Sequence, residues 1–182
     1  MFVKGQRGIS LIEAMIALVV FAIGVGGMVG LQLRSVSMSL DSKQRSIVIA
    51  KSQELADRMR SNRGFLTSYV GTYSNAGGTY CSTLPAANCA DSNIGSAAVC
   101  SGTELAAFDV WDVFCQADSG LDDSVIDWSA EITCTGGGCL AGQDTVTIST
   151  GWVARTGDTN KDLVGNAAND PSRDELIMSF TP

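Results

Sequence analysis

The side chains with the widest chemical scope in this 182-residue chain are six cysteines and nineteen carboxylates, and histidine is absent. Without histidine, neither a Ser-His nor a Cys-His nucleophile can form. A zinc site would have to use cysteines alone, and none of them forms a close Cys-x-x-Cys pair. The sequence also lacks a glycine loop of the phosphate-binding type. We therefore expect no enzymatic activity, no metal and no cofactor.

Two groups of carboxylates have spacings that need weighing. The first is an acidic stretch, interpreted as a solvated loop rather than an acid–base pair: Asp118, Asp122, Asp123 and Asp127. The second, DTNKDLVGN, places Asp158, Asn160 and Asp162 at alternate positions, as a calcium loop does. Leu163 replaces the glycine of such a loop, and Asn169 stands where its bidentate glutamate belongs. The segment therefore matches a calcium loop only in part, and a loop without bound metal is the favoured interpretation.

A single carboxylate, Glu13, stands immediately before an apolar run. Residues 14–31 contain no charged or strongly polar side chain and approach the ~20 residues that cross a bilayer. Lys4 and Arg7 precede the run, which favours a cytoplasmic N-terminus with the rest of the chain outside. Glu13 suits the first turn of a helix, where the helix dipole favours an anion. An ionised group at membrane depth is also a functional candidate in its own right.

No proline interrupts residues 9–62, and the pattern becomes amphipathic after residue 31, so we predict one continuous helix over 9–62. The residues expected on its buried face are Leu33, Val36, Leu40, Ile47, Ala50 or Lys51, Leu55 and Met59. Arg58, Arg60 and Arg63 suit the carboxyl end of a helix, with Gly64 as its stop. The apolar half contains a cluster of four glycines, Gly24, Gly26, Gly27 and Gly30. These residues permit either close packing against another helix or local loosening of this one.

The rest of the chain reads as a small α+β domain. Residues 74–102 are predicted to be irregular, and residues 103–116 helical with Thr103 as N-cap and their aromatic side chains in the core rather than on a ligand platform. Strands are predicted at 128–135, 144–155 and 175–181, the second from the alternation of Val146, Ile148 and Thr150 with polar residues.

All six cysteines fall in this domain. An even number in an exported domain favours disulfides over free buried thiols. Cys134 and Cys139 bracket the three glycines of a hairpin loop and form the strongest candidate pair. Six cysteines allow fifteen connectivities. The provisional pairing is Cys134–Cys139, Cys81–Cys89 and Cys100–Cys115.

Charge is segregated along the chain. Residues 34–63 hold seven basic and three acidic side chains, whereas three basic residues oppose fifteen acidic ones after Gly64, a net charge of −12. Nucleic-acid binding needs a basic footprint. The acidic domain therefore argues against a nucleic-acid partner.

The order of basic leader, Gly8, Ile9, Glu13 and apolar run resembles the class III signal of type IV prepilins and pseudopilins, although most members have phenylalanine where this chain has Ile9. The resemblance implies that prepilin peptidase cuts after Gly8 and methylates the new N-terminus at Ile9. It further implies that Glu13 pairs with the terminal amine of a neighbouring subunit during assembly, a contact that sets register more than it adds stability.

The second half of the helix resembles the PilV family of minor pilins, the type IV pilus modification proteins. The matching residues are Leu31-Gln32, Leu55, Asp57 and Arg58 to Asn62, followed by Ala106, Ala107, Phe108, Asp109 and Trp111. This resemblance implies the α+β type IV pilin fold, a long N-terminal helix with a membrane-spanning first half, packed on a disulfide-stapled antiparallel sheet. The expected segments are a leader (1–8), a transmembrane and assembly helix (9–31), an amphipathic helix (32–63) and a periplasmic head (64–182).

The expected function is that of a minor pilin in a complex that primes pilus assembly near the filament tip and supports adhesion or motility. The expected partners are other minor pilins, the major pilin, prepilin peptidase, the inner-membrane assembly platform and a tip adhesin. The protein would be a single-pass inner-membrane protein and then part of the extracellular pilus. A type II secretion pseudopilin and a membrane-anchored periplasmic ligand-binding protein are the alternatives.

Overall fold

The computed structural model describes residues 10–90, 98–116, 120–122, 125, 127–136, 138–153 and 173–182. The chain divides between Leu40 and Asp41 into two compact units. Helix α1 (Leu11–Ser61) contributes residues to both of them. The single helix predicted from the absence of proline is therefore present.

The first unit consists of the apolar part of α1. Its large side chains are exposed on every side of the helix, for example Leu11 at 78%, Phe21 at 68% and Ile23 at 72%. A helix that is apolar all round needs an apolar environment, either lipid or other protein helices. The four glycines predicted to allow packing or loosening lie within regular helix, and open space surrounds the position of an added Cβ at each.

The second unit contains a four-stranded antiparallel sheet in sequential order: β1 (Gly71–Ser74), β2 (Ser129–Cys134), β3 (Val146–Val153) and β4 (Arg173–Phe180). The register aligns Ile132, Ile148 and Met178 across β2, β3 and β4. Three strands match the predicted ones with small shifts at their ends. Strand β1 was not predicted. It lies at the edge of the region expected to be irregular, and its four residues, which begin with glycine, show no readable alternation.

Helix α2 (Gly102–Cys115) follows the segment that contains Cys81, Cys89 and Cys100. Its N-cap is Ser101 rather than the expected Thr103. The Ser101 hydroxyl accepts from the backbone N–H of Glu104 at 3.3 Å, while the Glu104 carboxylate accepts from the Ser101 N–H at 2.8 Å. This reciprocal capping box satisfies two backbone donors, which a cap at Thr103 cannot match. Two short 3-10 helices, Arg63–Tyr69 and Ala76–Gly78, complete the regular structure.

The core of the second unit lies between the sheet, α2 and the last five turns of α1. The Phe114 ring stacks on Trp128 with centroids 4.8 Å apart, and Phe108 is 1% exposed, so the α2 aromatics are core residues as predicted. Along α1 the buried positions are Gln44, Val48, Ser52, Leu55, Ala56 and Met59. Residues three and four positions apart lie on the same face of a helix, so the buried face that contains Leu55 also contains Val48. Ile47 lies beside this face and is only half-buried, and Ala50 is exposed.

Candidate functional site

Glu13 lies in the first turn of α1, and its own backbone N–H donates to the Ser10 carbonyl at 3.0 Å. Its carboxylate is exposed among exposed apolar neighbours such as Ile12 and Ile16. Among the described residues, no ion pair or hydrogen bond engages this carboxylate. Gly8 and Ile9, the predicted processing residues, lie outside the described part of the chain. The geometry therefore leaves one accessible anion near the end of an apolar helix.

By length and composition, α1 is able to cross a membrane. No residue of its most apolar 18-residue stretch is buried within the structure. Burying such a surface in lipid or against other helices contributes about 25 cal/mol for each Å² of apolar area removed from water. This surface and Glu13 together form the candidate assembly site. Its residues come from one continuous helix, and their arrangement requires no other element.

The second unit contains a buried polar cluster around Arg58, near the end of α1. The Arg58 guanidinium donates to Asp112 at 2.6 Å and to Asp109 at 3.2 Å, both on α2, and to Glu54 on its own helix at 2.7 Å. The side chains of Asp109 and Asp112 are only 7% and 10% exposed. Buried carboxylates are costly unless they are paired. Arg58 is thus the cation that allows α2 to pack with two acidic residues facing α1.

Two further side chains extend this Arg58 cluster. The buried Tyr69 hydroxyl donates to the second Asp109 oxygen at 2.6 Å. The Asn62 amide donates to the Tyr69 hydroxyl at 3.2 Å and to the Gly102 carbonyl at 2.8 Å. Asn62 therefore joins the end of α1 to the first turn of α2. Hydrogen bonds to charged groups are the strong ones, so the cluster fixes the angle between the two helices.

The electrostatic surroundings act on the titrating groups of this cluster. Burial alone would lower the pKa of Arg58, but its bonds to Asp112, Glu54 and Asp109 raise that pKa above its usual value. Burial raises the pKa of Tyr69, and donation to Asp109 raises it further. Burial alone would raise the pKa of Glu54, but the cations Lys51 and Arg58 outweigh burial and lower it. Each shift favours the protonation state in which the cluster is fully bonded.

The sequence interpretation assigned Arg58 only to the helix end, and so missed this cluster. Arg60, by contrast, does remain a surface cation, paired with Asp57 at 2.7 Å. The missed signal was in α2: Asp109 and Asp112, three residues apart, lie on one face of an otherwise apolar helix. Two carboxylates on a buried face require a cation from another element.

The three disulfides differ in part from the provisional pairing. Cys134–Cys139 closes the hairpin loop as predicted, but Cys81 bonds to Cys115 and Cys89 bonds to Cys100. The assignments Cys81–Cys89 and Cys100–Cys115 are wrong. Cys100 precedes α2 and Cys115 ends it, so 14 residues of helix hold the two sulfurs far apart. Cys100 and Cys115 therefore cannot form a disulfide with each other.

Within the acidic stretch, the Asp122 side chain is exposed, as expected for a solvated loop, and it also makes two hydrogen bonds. Asp122 accepts hydrogen bonds from the Asn75 amide and from the Trp128 indole N–H, the latter at 3.1 Å. Asp118 and Asp123 lie outside the described residues, as does the calcium-like segment around Asp158. In the part of the chain that the structure describes, no group of three or more Cys, Asp or Glu residues is arranged to hold a metal.

Two known families match adjoining parts of the chain. Residues 3–29 match the prokaryotic N-terminal methylation motif, and residues 30–111 match the family described as type IV pilin Tt1218. No curated protein and no solved structure gives a significant match. The second match includes Arg58 and Asp109, covers α1 only from residue 30 onward and includes β1 of the sheet. The long apolar helix and the disulfide-linked antiparallel sheet are those of the type IV pilin fold. The chain therefore carries an N-terminal methylation motif, and the segment that follows it is similar to the type IV pilins of the Tt1218-like family.

Proposed function

We propose that this chain is a minor pilin, cut after Gly8, methylated at Ile9, held in the inner membrane by the apolar part of α1 and then built into a type IV pilus. The observation that carries this proposal is the exposed carboxylate of Glu13 at the start of an exposed apolar helix, within the residues that match the methylation motif. A helix that served only as a lipid anchor would gain from Glu13 no more than a favourable interaction with its own dipole, at the cost of a charge at membrane depth.

In this proposal, Glu13 binds the N-terminal amine of the neighbouring subunit as the helix leaves the bilayer. Removing one partner of such a pair leaves the other charge buried and unpaired, at a cost of about 3–5 kcal/mol. The pair therefore discriminates between aligned and shifted positions of adjacent helices. The apolar surface of α1 provides most of the association energy, since it exchanges lipid contacts for contacts with other pilin helices.

A role in the priming complex near the filament tip, and membership of the PilV family, are the finer parts of the proposal. They draw on the segments Arg58 to Asn62 and Ala106 to Trp111, which carried the resemblance in the sequence and which meet in the Arg58 cluster. Other minor pilins, the major pilin, prepilin peptidase, the assembly platform and a tip adhesin would be its partners. Adhesion or motility would then depend on the chain through the number of pili.

The test compares Glu13→Gln with Glu13→Asp in cells that assemble pili. We expect both variants to be processed to a methylated Ile9, as N-terminal sequencing and intact mass would show. Glu13→Gln should then remain in membranes, whereas Glu13→Asp, which keeps the charge, should restore part of the signal in sheared filaments. A chain that keeps Met1 in cells with active prepilin peptidase would refute the pilin proposal and favour a membrane-anchored binding protein.

A second measurement separates a minor pilin from a type II secretion pseudopilin. Deletion of the gene should reduce the number of surface pili and leave protein secretion intact. The chain should also be present in sheared pili in amounts far below those of the major subunit. Loss of secretion with normal pili would instead identify a pseudopilin.

A further inference from the structure

The two edges of the sheet differ in length. β1, at one edge, has four residues, whereas β4, at the other, has eight. Within the described residues, β4 pairs only with β3, and no strand pairs with its outer side. Every second residue of β4 therefore turns its backbone N–H and C=O away from the sheet. A long open edge of this kind is a template for another strand.

The side chains of β4 give this edge an apolar character. Residues 176–180, LIMSF, carry no charge. Leu176, Met178 and Phe180 lie on the face that packs towards the core, yet all three remain only half-buried. Ile177, on the opposite face, is 64% exposed. Exposed sheet edges are commonly protected by charges, proline or bulges. Residues 176–180 contain neither a charged residue nor a proline.

A groove runs beside the same edge, between β4 and the last turns of α1. Its lining residues are Gln53, Ala56, Asp57, Arg60, Met178, Ser179 and Phe180. The Arg60 guanidinium lies 4.8 Å from the centre of the Phe180 ring and is held by its ion pair with Asp57. A strand added to β4 would direct alternate side chains into this groove, where they would cover Met178 and Phe180.

Charge determines which strand fits. At the start of β4, the Asp174 side chain is exposed and lies on the same face as Leu176 and Met178, two residues from the apolar row. Glu175, on the other face, is already bonded to the Ser149 hydroxyl. The chain after Gly64 carries a net charge of −12, so two copies of this head repel each other. The open edge therefore favours a basic strand from a different chain.

We propose that β4 binds an extended strand of another protein, which adds to the sheet as a fifth strand. Its side chains facing the groove are apolar opposite Met178 and Phe180, and one is basic opposite Asp174. Backbone hydrogen bonds along β4 provide affinity, and the alternate side chains provide specificity. The proposal concerns the head alone and is independent of whether the chain enters a filament.

The test uses the full chain in detergent micelles and a blocked octapeptide, Val-Thr-Val-Thr-Val-Thr-Lys-Thr, whose valines and lysine fall on one face. The reversed sequence serves the parallel orientation. We expect hydrogen exchange of those amides of residues 174–180 that face away from β3 to slow about tenfold at saturating peptide. Replacing both the central valine and the threonine after it with proline removes an N–H that must face β4, and should abolish the effect.

A charge exchange tests specificity. Asp174→Lys should weaken the response to the lysine peptide about tenfold and restore it for a peptide with glutamate in place of the lysine. Glu131→Lys, on β2 and away from the edge, is the matched control and should leave both responses unchanged. Equal responses of the native chain to lysine and glutamate peptides would overturn the predicted partner.

Two other outcomes would also overturn the proposal. Protection, in the chain without peptide, of those amides of residues 174–180 that face away from β3 would mean that its own residues already occupy the edge. Protection that appears with rising protein concentration, together with dimers in analytical ultracentrifugation, would make a second copy the occupant.

Discussion

Arg58 of α1 and Asp112 of α2 meet at 2.6 Å inside the second unit, although they are 54 positions apart in the chain. The contact places the cation of one helix against the buried carboxylates of the other. It joins the last turns of α1 to α2 within the second unit.

Arg58→Met should destabilise the head by about 3 kcal/mol, because it leaves Asp109 and Asp112 buried without their cation. The value lies at the lower end of the range for broken buried pairs, since 28% of the Arg58 side chain remains exposed. Chemical denaturation of the full chain in detergent, followed by tryptophan fluorescence, measures the change. Arg60→Met removes an exposed pair with Asp57 and should cost at most about 1 kcal/mol. Equal losses in the two variants would mean that the Arg58 cluster contributes nothing beyond a surface pair.

Tyr69→Phe should destabilise the head by about 1–3 kcal/mol at neutral pH, because one oxygen of the buried Asp109 then loses its donor. The native chain should also lose stability in alkali. The pKa of Tyr69 is raised in the folded state, so its contribution is complete below the unfolded value of about 10 and disappears as pH rises through the folded value.

The measurement for Tyr69 is the difference in unfolding free energy between the native chain and Tyr69→Phe at several pH values. This difference should be constant up to about pH 10 and shrink above it. Subtraction removes the titration of lysines, which both chains share. A difference that grows with pH would contradict the assigned hydrogen bond.

The disulfides should contribute unequally, because they close loops of different length. Cys81 and Cys115 are 34 residues apart, whereas Cys134 and Cys139 are 5 apart. By loop-closure entropy, replacing the first pair with serine should cost about 4 kcal/mol and the second about 2 kcal/mol. Peptide mapping without reduction should also recover the Cys89–Cys100 link. A Cys81–Cys89 link would contradict the connectivity.

Ser101→Ala should destabilise α2 by about 1 kcal/mol, because Ser101 is its N-cap. Thr103→Ala is the matched control, since it removes a hydroxyl from the first turn of the same helix, and it should change stability by less than about 0.5 kcal/mol. Thermal unfolding monitored by circular dichroism compares the two. A larger loss at Thr103 would restore the cap first expected from the sequence.

Patterns that are local in the chain were readable before the structure. The apolar run, the absence of proline over residues 9–62 and the alternation around Ile148 predicted α1 and β3 because each depends on neighbouring residues alone. The Cys134–Cys139 bridge was predictable for the same reason, since a hairpin brings both cysteines together.

Long-range contacts were not readable in this way. Arg58 looks like an ordinary cation at a helix end, and only the packing of α2 shows that it neutralises Asp109 and Asp112. The Cys81–Cys115 bridge depends on the same packing, because the length of α2 determines where Cys115 lies. Strand β1 is stabilised by pairing with β2, so its four residues carry little pattern of their own.

The connectivity of the disulfides has a further consequence for the effect of proteolysis. The Cys89–Cys100 bridge is nested inside the segment that Cys81–Cys115 closes. A protease that cuts once anywhere between Cys81 and Cys115 therefore leaves both parts covalently joined. Such a nicked chain would run as a single species on a gel until a reducing agent is added, and no fragment of the head would be shed.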